Sequence, residues 1–204
     1  MSELDRKREL IVESAIKRFS HFGIQKTTMN EIADDISVTQ PALYYYFPDK
    51  MTLVIAVVER IMNQYFEELH QGIDGLETLE EEFDYIISLR KKFIERYFML
   101  KLTETAQEAS NIHDSCEPIM KEAHIKEVAL VTGLLEKAMA NGSISKIDSQ
   151  KMSELYIDVL TGLSMFVLIS KNRKLFPENE EFEAILTKHK EFTQLFISGL
   201  KTSK

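Results

Sequence analysis

Apolar residues recur at helical intervals along most of the chain, and no stretch shows the two-residue alternation of a half-buried strand. The pattern predicts a succession of amphipathic helices. The first covers residues 4–22, with Leu10, Ile11, Ser14, Ala15, Arg18 and Phe19 at helical spacing and Gly23 at the left-handed stop. Thr28-Met-Asn-Glu31 has the form of a capping box and opens a short second helix whose Ile32, Ala33 and Ile36 turn inward. Thr39 suits the N-cap of a third helix, with Gln40 and Pro41 in its first turn, where a missing amide costs little. Pro48-Asp49-Lys50 stops that helix and caps a fourth over residues 50–71. After a break at 72–75, further helices are expected at 79–98, 100–109, 118–140, 148–172 and 180–200, with Asn141-Gly142 as a left-handed stop. Nine or so helices in two unequal groups make an all-α chain.

Composition narrows the class. At 204 residues, 44% of them hydrophobic, the chain can bury a substantial core in one or two domains. No apolar run reaches the roughly 18 to 20 residues of a spanning helix. Cys116 is the single cysteine, which leaves no intrachain disulfide framework and fits a reducing cytoplasm. The net charge of -8 argues against nucleic acid when taken whole. It is unevenly spread, however. Residues 1–60 carry 8 Lys and Arg against 9 Asp and Glu, and residues 61–204 carry 17 against 24. The acidity lies mostly in the larger C-terminal part, and any cations serving a nucleic acid must be gathered on one face of the smaller part.

Residues 27–50 are the most informative. Two short helices joined by a tight turn read as a helix-turn-helix whose second helix can lie in a DNA major groove. Three consecutive tyrosines sweep about 200° of a helix, so they cannot all be core. Tyr44 and Tyr45 are assigned to the DNA side, with hydroxyls on phosphates, and Tyr46 either packs beside Phe47 or touches phosphate. Gln40 can pair bidentately with adenine, Pro41 can press on a thymine methyl, and Thr39 can donate to phosphate or base. Lys50 at a helix start suits a phosphate clamp, and Thr28 caps and can add a similar contact. Arg6, Lys7 and Arg8 form either a basic arm toward the duplex or a solvated end. With so few cations, a shallow salt dependence per half-site is expected, and contacted positions favouring A·T over G·C.

The string Phe19-x-x-x-Gly23-x-x-x-Thr27-Thr28-x-x-x-Ile32-Ala33, then Val38-Thr39, then Leu43-Tyr44-x-Tyr46-Phe47-x-x-Lys50, resembles the N-terminal domain of TetR-family transcriptional regulators. The resemblance covers about residues 10–53; the remainder is similar only in length and helical content. It implies a three-helix DNA-binding domain at 1–48 and a larger helical ligand-binding and dimerisation domain at 49–204. It also implies a homodimer on a palindromic operator, and release by a small-molecule effector with repression as the default. Two positions depart from the pattern. Ser37 stands where the family usually has Gly, at a cost on the order of 1 kcal/mol if that backbone angle is positive. The third helix has no Arg or Lys before Lys50, so no Arg-to-guanine readout carries over to it.

In the larger part, residues 155–169 are almost continuously apolar, and a helix hydrophobic on most sides must be covered on most sides. Core on one face and a partner subunit on the other would satisfy this, as would a single-chain bundle with that helix at its centre. The dimer reading takes Tyr156, Val159, Leu163 and Phe166 with Phe182, Ile185, His189, Phe192 and Phe196 of the last helix. Gly162 and Ser164 would allow close approach. For an effector cavity the candidates are Phe66, Phe93, Tyr97, Phe98, Met99, Met120, Met165 and Phe166, with Gln107, His113, His124 and Asp158 as orienting polar groups. Plain core accounts for the same apolar residues. His113 and His124 have no third partner at metal-ligand spacing, and no phosphate loop or nucleophile constellation is present. Neither a metal, a cofactor nor catalysis is expected. The rival readings are a helical adaptor or ligand-binding protein without DNA-binding activity, and a helical enzyme on lipid or aromatic substrates.

Overall fold

The computed structural model describes residues 3–97, 106–170 and 179–201, and every regular element among them is a helix. These are α1 (Glu3–Phe22), α2 (Met29–Asp35), α3 (Gln40–Tyr46), α4 (Lys50–Ile73), α5 (Leu79–Tyr97), α6 (Ala106–Ala140), α7 (Ser149–Ser170) and α8 (Asn179–Leu200). The all-α class is as expected. Contacts divide the chain into one unit of Met1–Phe66 with Arg96–Met120 and a second of Glu67–Glu95 with Lys121–Lys204. Residues 50–66 of α4 fall in the same unit as α1–α3.

In the first unit α1 buries Ile11, Val12, Ala15 and Phe19, while Leu10 faces solvent and Val12 takes its expected place. Gly23, at φ 82°, donates its amide to the Phe19 carbonyl at 2.9 Å and ends the helix. Ile32 and Ala33 of α2, Leu43 and Phe47 around α3, and Leu53, Val54 and Val57 of α4 complete this core. The Asp49 carboxylate accepts from the Thr52 amide at 2.7 Å and caps α4; those bonds hold it below the usual carboxylate range.

One helix differs from expectation. The two predicted segments at 100–109 and 118–140 meet in a single α6 that begins at Ala106 and passes through Pro118. Residues 98–105 lie outside the described residues. Proline removes one amide donor and crowds the carbonyl one turn back. Pro118 is exposed, where water can serve that carbonyl. Cys116, on the same helix, is buried, and burial raises its thiol pKa, with Glu59 adding to the shift.

The second unit is organised around Tyr156, which is fully buried among Phe83, Phe192 and Phe196 and shares a 2.8 Å hydrogen bond with the Thr193 hydroxyl. One helical stretch further along lies a buried polar node. His189 Nε2 is 2.9 Å from the Leu160 carbonyl and 3.0 Å from Ser164 Oγ, and the Ser164 hydroxyl donates to that same carbonyl. A carbonyl only accepts, so Nε2 carries the proton, and Nδ1 is a buried lone pair without a partner among the described residues. Burial and, secondarily, the Arg90 charge push the His189 pKa down to about 4, against the Leu160 bond.

That depression has a measurable consequence. Between its folded and unfolded pKa values, His189 binds more protons in the unfolded chain, so its contribution is whole above pH ~6.5 and drains as pH falls toward 4. Urea unfolding at fixed protein concentration should lose about 2 kcal/mol between roughly pH 7.5 and 5. His189→Leu should flatten that window, whereas the depressed carboxylates such as Asp49 act only below it. An unchanged slope in His189→Leu would contradict this.

Candidate nucleic-acid interface

Local chemistry sets α2 and α3. The Thr28 hydroxyl accepts from the Glu31 amide at 3.2 Å, and the Glu31 carboxylate accepts from the Thr28 amide at 2.7 Å and hydroxyl at 2.9 Å. This is the complete capping box. It commits the Thr28 hydroxyl proton, so while the box is closed Thr28 is a cap and has no hydroxyl donor for phosphate. Arg18 of α1 grips the Asp35 carboxylate with bonds of 2.5 and 2.9 Å and lies 3.4 Å from Glu31. The α2 carboxylates are thereby matched by a cation on the α1 side. Both are held below the usual range, Asp35 chiefly by its bond to Arg18 and Glu31 chiefly by its bonds to Thr28.

The turn between the two helices is a Schellman stop. Ser37 donates to the Asp34 carbonyl at 3.1 Å and Val38 to the Ala33 carbonyl at 3.0 Å, with Ser37 at φ 54°. The glycine-type geometry is therefore kept by a residue with a Cβ, among the described residues the only non-glycine at positive φ. Ser37→Gly should relieve that strain and stabilise the protein by about 1 kcal/mol. In a thermal melt this is a rise of a few degrees, and a fall would contradict the strain argument.

Across the turn, Thr39 Oγ1 accepts from the Ala42 amide at 3.4 Å and starts α3. Leu43 and Phe47 point into the core; Gln40, Pro41 and Tyr44 are exposed, and Tyr45 is 75% exposed. Tyr46 is half-buried and meets the Tyr45 ring edge-on at 5.3 Å, so it braces its neighbour. Thr39, Gln40, Pro41, Tyr44 and Tyr45 thus share an outward surface anchored by Leu43 and Phe47. Lys50, half-buried at the start of α4, donates to the Gln25 carbonyl at 3.2 Å. The expected phosphate clamp is also a strut between the α1–α2 loop and α4, a contact with a backbone carbonyl that side-chain patterns do not reveal.

The basic residues at the start of the chain form neither a loose arm nor a loose end. Arg6, Lys7 and Arg8 lie within α1. Lys7 pairs with Glu3 at 3.2 Å, and the Arg8 guanidinium lies over the Phe47 ring, 5.1 Å from its centroid. Arg60 of α4 pairs with Glu9 at 2.6 Å.

The effector candidates scatter. Phe66 and Tyr97 are buried in the first unit, where the Tyr97 hydroxyl reaches Gln64 Oε1 at 3.4 Å, and Phe93 is buried in the second. Met120, Met165 and Phe166 are exposed. Helical spacing marks an apolar stripe without saying which way it faces. The side chains of Phe98, Met99, Gln107 and His113 lie outside the described residues. His124 borders an open cleft of about 340 Å³ with Ile125, Val128, Gln150, Glu154 and Asp158; the exposed Asp158 carboxylate lies 4.0 Å from its Nε2. Among the described residues no group of three or more His, Cys, Asp or Glu is placed to hold a metal ion.

The expected dimer residues divide. Tyr156, Phe182, Ile185, His189 and Phe196 are interior and present no side chain to a partner; Val159, Leu163 and Phe192 are half-buried. Among the described residues, the large apolar side chains exposed on α7 and α8 are Leu155, Met165, Phe166 and Leu195, the last 73% exposed. Gly162 and Gly199 lie on the exposed side with open space where a Cβ would stand.

With this geometry, residues 11–57 match the model for bacterial regulatory proteins of the tetR family, and this N-terminal part of the chain is a helix-turn-helix domain of that family. A probable HTH-type transcriptional regulator of Pseudomonas putida, ArpR, is 28% identical over 116 residues, 56% of this chain and 53% of that protein. A probable acrEF/envCD operon repressor of Escherichia coli is 40% identical over 52 residues, 26% of this chain and 24% of that protein. The chain spans about half the length of the first of these relatives and less of the second. A transcriptional regulator from Cytophaga hutchinsonii superposes with a TM-score of 0.83 at 27% identity, covering 96% of this chain and 99% of that one. No helix among the described residues is long and apolar enough to cross a membrane.

Proposed function

We propose that the chain is a cytoplasmic homodimeric repressor that binds a palindromic operator in double-stranded DNA and is released by a small-molecule effector. The observation that carries this reading is the outward surface of Gln40, Pro41, Tyr44 and Tyr45 on a short helix pinned from behind by Leu43 and Phe47. Residues 1–48 act as the reading module. Gln40 pairs with adenine, Pro41 rests on a thymine methyl, and Thr39, Tyr44, Tyr45 and Lys50 hold phosphates and sugars. The name of the Escherichia coli relative, an operon repressor, supports repression as the sign.

Dimerisation supplies the second half-site. Leu155, Val159, Gly162 and Phe166 of α7 with Phe192, Leu195 and Gly199 of α8 form the face we assign to it, because apolar exposure and glycines there suit close helix crossing. Two α3 helices must then lie roughly 34 to 36 Å apart to enter successive major grooves. Phe66 and Tyr97, with Gln64 joined to the Tyr97 hydroxyl, are our assignment for effector lining. α4 begins at Lys50 and continues to Ile73, so an effector that favours a tilted α4 changes the half-site spacing and weakens binding by its differential affinity.

Selection of duplexes from a random pool by the wild-type protein tests this reading. A two-fold-related sequence with A·T pairs at contacted positions is expected. Guanine at every contacted position would remove the Gln40 assignment, and failure to retain any duplex would remove the function.

A further inference from the structure

We propose that Arg8 is a phosphate contact preset by Phe47, supplying at the edge of the reading surface a charge that α3 itself lacks. The inference rests on the reading of α3 as the DNA-facing helix. Gln40–Tyr46 holds no Lys or Arg, yet duplex binding draws most of its affinity from cations at the backbone. Four of the eight cations in residues 1–60 are engaged in holding the module together. Arg18 serves Asp35 and Glu31, Arg60 serves Glu9, Lys7 serves Glu3, and Lys50 donates to the Gln25 carbonyl.

Arg8 is held differently. It is exposed, and its guanidinium lies over the ring of Phe47, a buried residue that forms the C-cap of α3. A ring attracts a cation without neutralising it. The ring accepts no conventional hydrogen bond, so the guanidinium keeps N–H donors for two phosphate oxygens. Because residue 8 belongs to the helix α1 and not to a loose end, its backbone is already ordered for binding.

The test uses the full chain and the duplex recovered by the wild type from the random pool, with affinity measured across a salt series. Arg8→Gln should reduce the slope of log K against log salt by about 0.9 per half-site, and leave base preference and the thermal melt unchanged. Arg8→Lys should restore the slope but not the full affinity, having charge without a fork. Lys17 is an exposed cation nine residues along α1, about 180° around the helix, and Lys17→Gln should leave the slope alone. A wild-type slope in Arg8→Gln, or an equal drop in Lys17→Gln, overturns the inference while leaving the α3 reading intact. A wild type that retains no duplex overturns both, a different result from binding to which Arg8 contributes nothing.

Discussion

Glutamate at both Phe166 and Leu195 should leave a folded monomer whose operator affinity is lower by about a hundredfold or more. Both side chains are largely exposed in the single chain, so the protomer loses little by the change. In a pair of chains the same positions would be desolvated, and an unpaired carboxylate buried there costs several kcal/mol. Gly162 and Gly199 on the same faces have open space where a Cβ would stand, so a partner helix there would pack closely and tolerate charge poorly. The DNA effect follows from linkage of two half-sites in one particle. Sedimentation at working concentration checks the first part and duplex titration the second. A variant that remains dimeric with wild-type affinity would move the interface elsewhere.

The second large effect belongs to α3. Gln40→Ala combined with Tyr45→Ala should weaken operator binding by roughly a hundredfold, taking about 1–3 kcal/mol for a lost bidentate base contact at each half-site. The melting temperature should barely move, since both residues are exposed. Leu43→Ala offers the contrast. Leu43 is fully buried, and its truncation should cost about 2–5 kcal/mol of stability before any question of DNA arises. A double variant with wild-type affinity would show that the outward face of α3 is an ordinary solvated surface.

These two faces differ in how far the chain's pattern disclosed them. The α2–α3 module is written in local chemistry: a Thr-x-x-Glu box, a capping Thr39 and a left-handed stop at Ser37, each acting within a few residues. Such signals survive translation into structure because little tertiary context is needed. The same box recurs at Thr78 and Glu81, where it caps α5, and it could have been found from the identical spacing. The α7–α8 face was legible only as apolar. Leu155 to Val167 has few polar residues to set a phase, so the inward stripe of Tyr156 and its partners could not be told from the outward stripe of Leu155 and Phe166. Lys50 illustrates a third kind of limit, because its partner is a backbone carbonyl 25 residues away. Pro118 illustrates a fourth: its local preference to break a helix is overridden within the 35-residue α6.

Hydroxyl-radical footprinting of the wild-type chain on its selected duplex bears most directly on whether two copies of the α3 surface read successive turns of DNA. The account predicts two protected patches on one side of the duplex, centred about 10 base pairs apart. A lone patch, or cleavage indistinguishable from bare DNA at saturating protein, would contradict it.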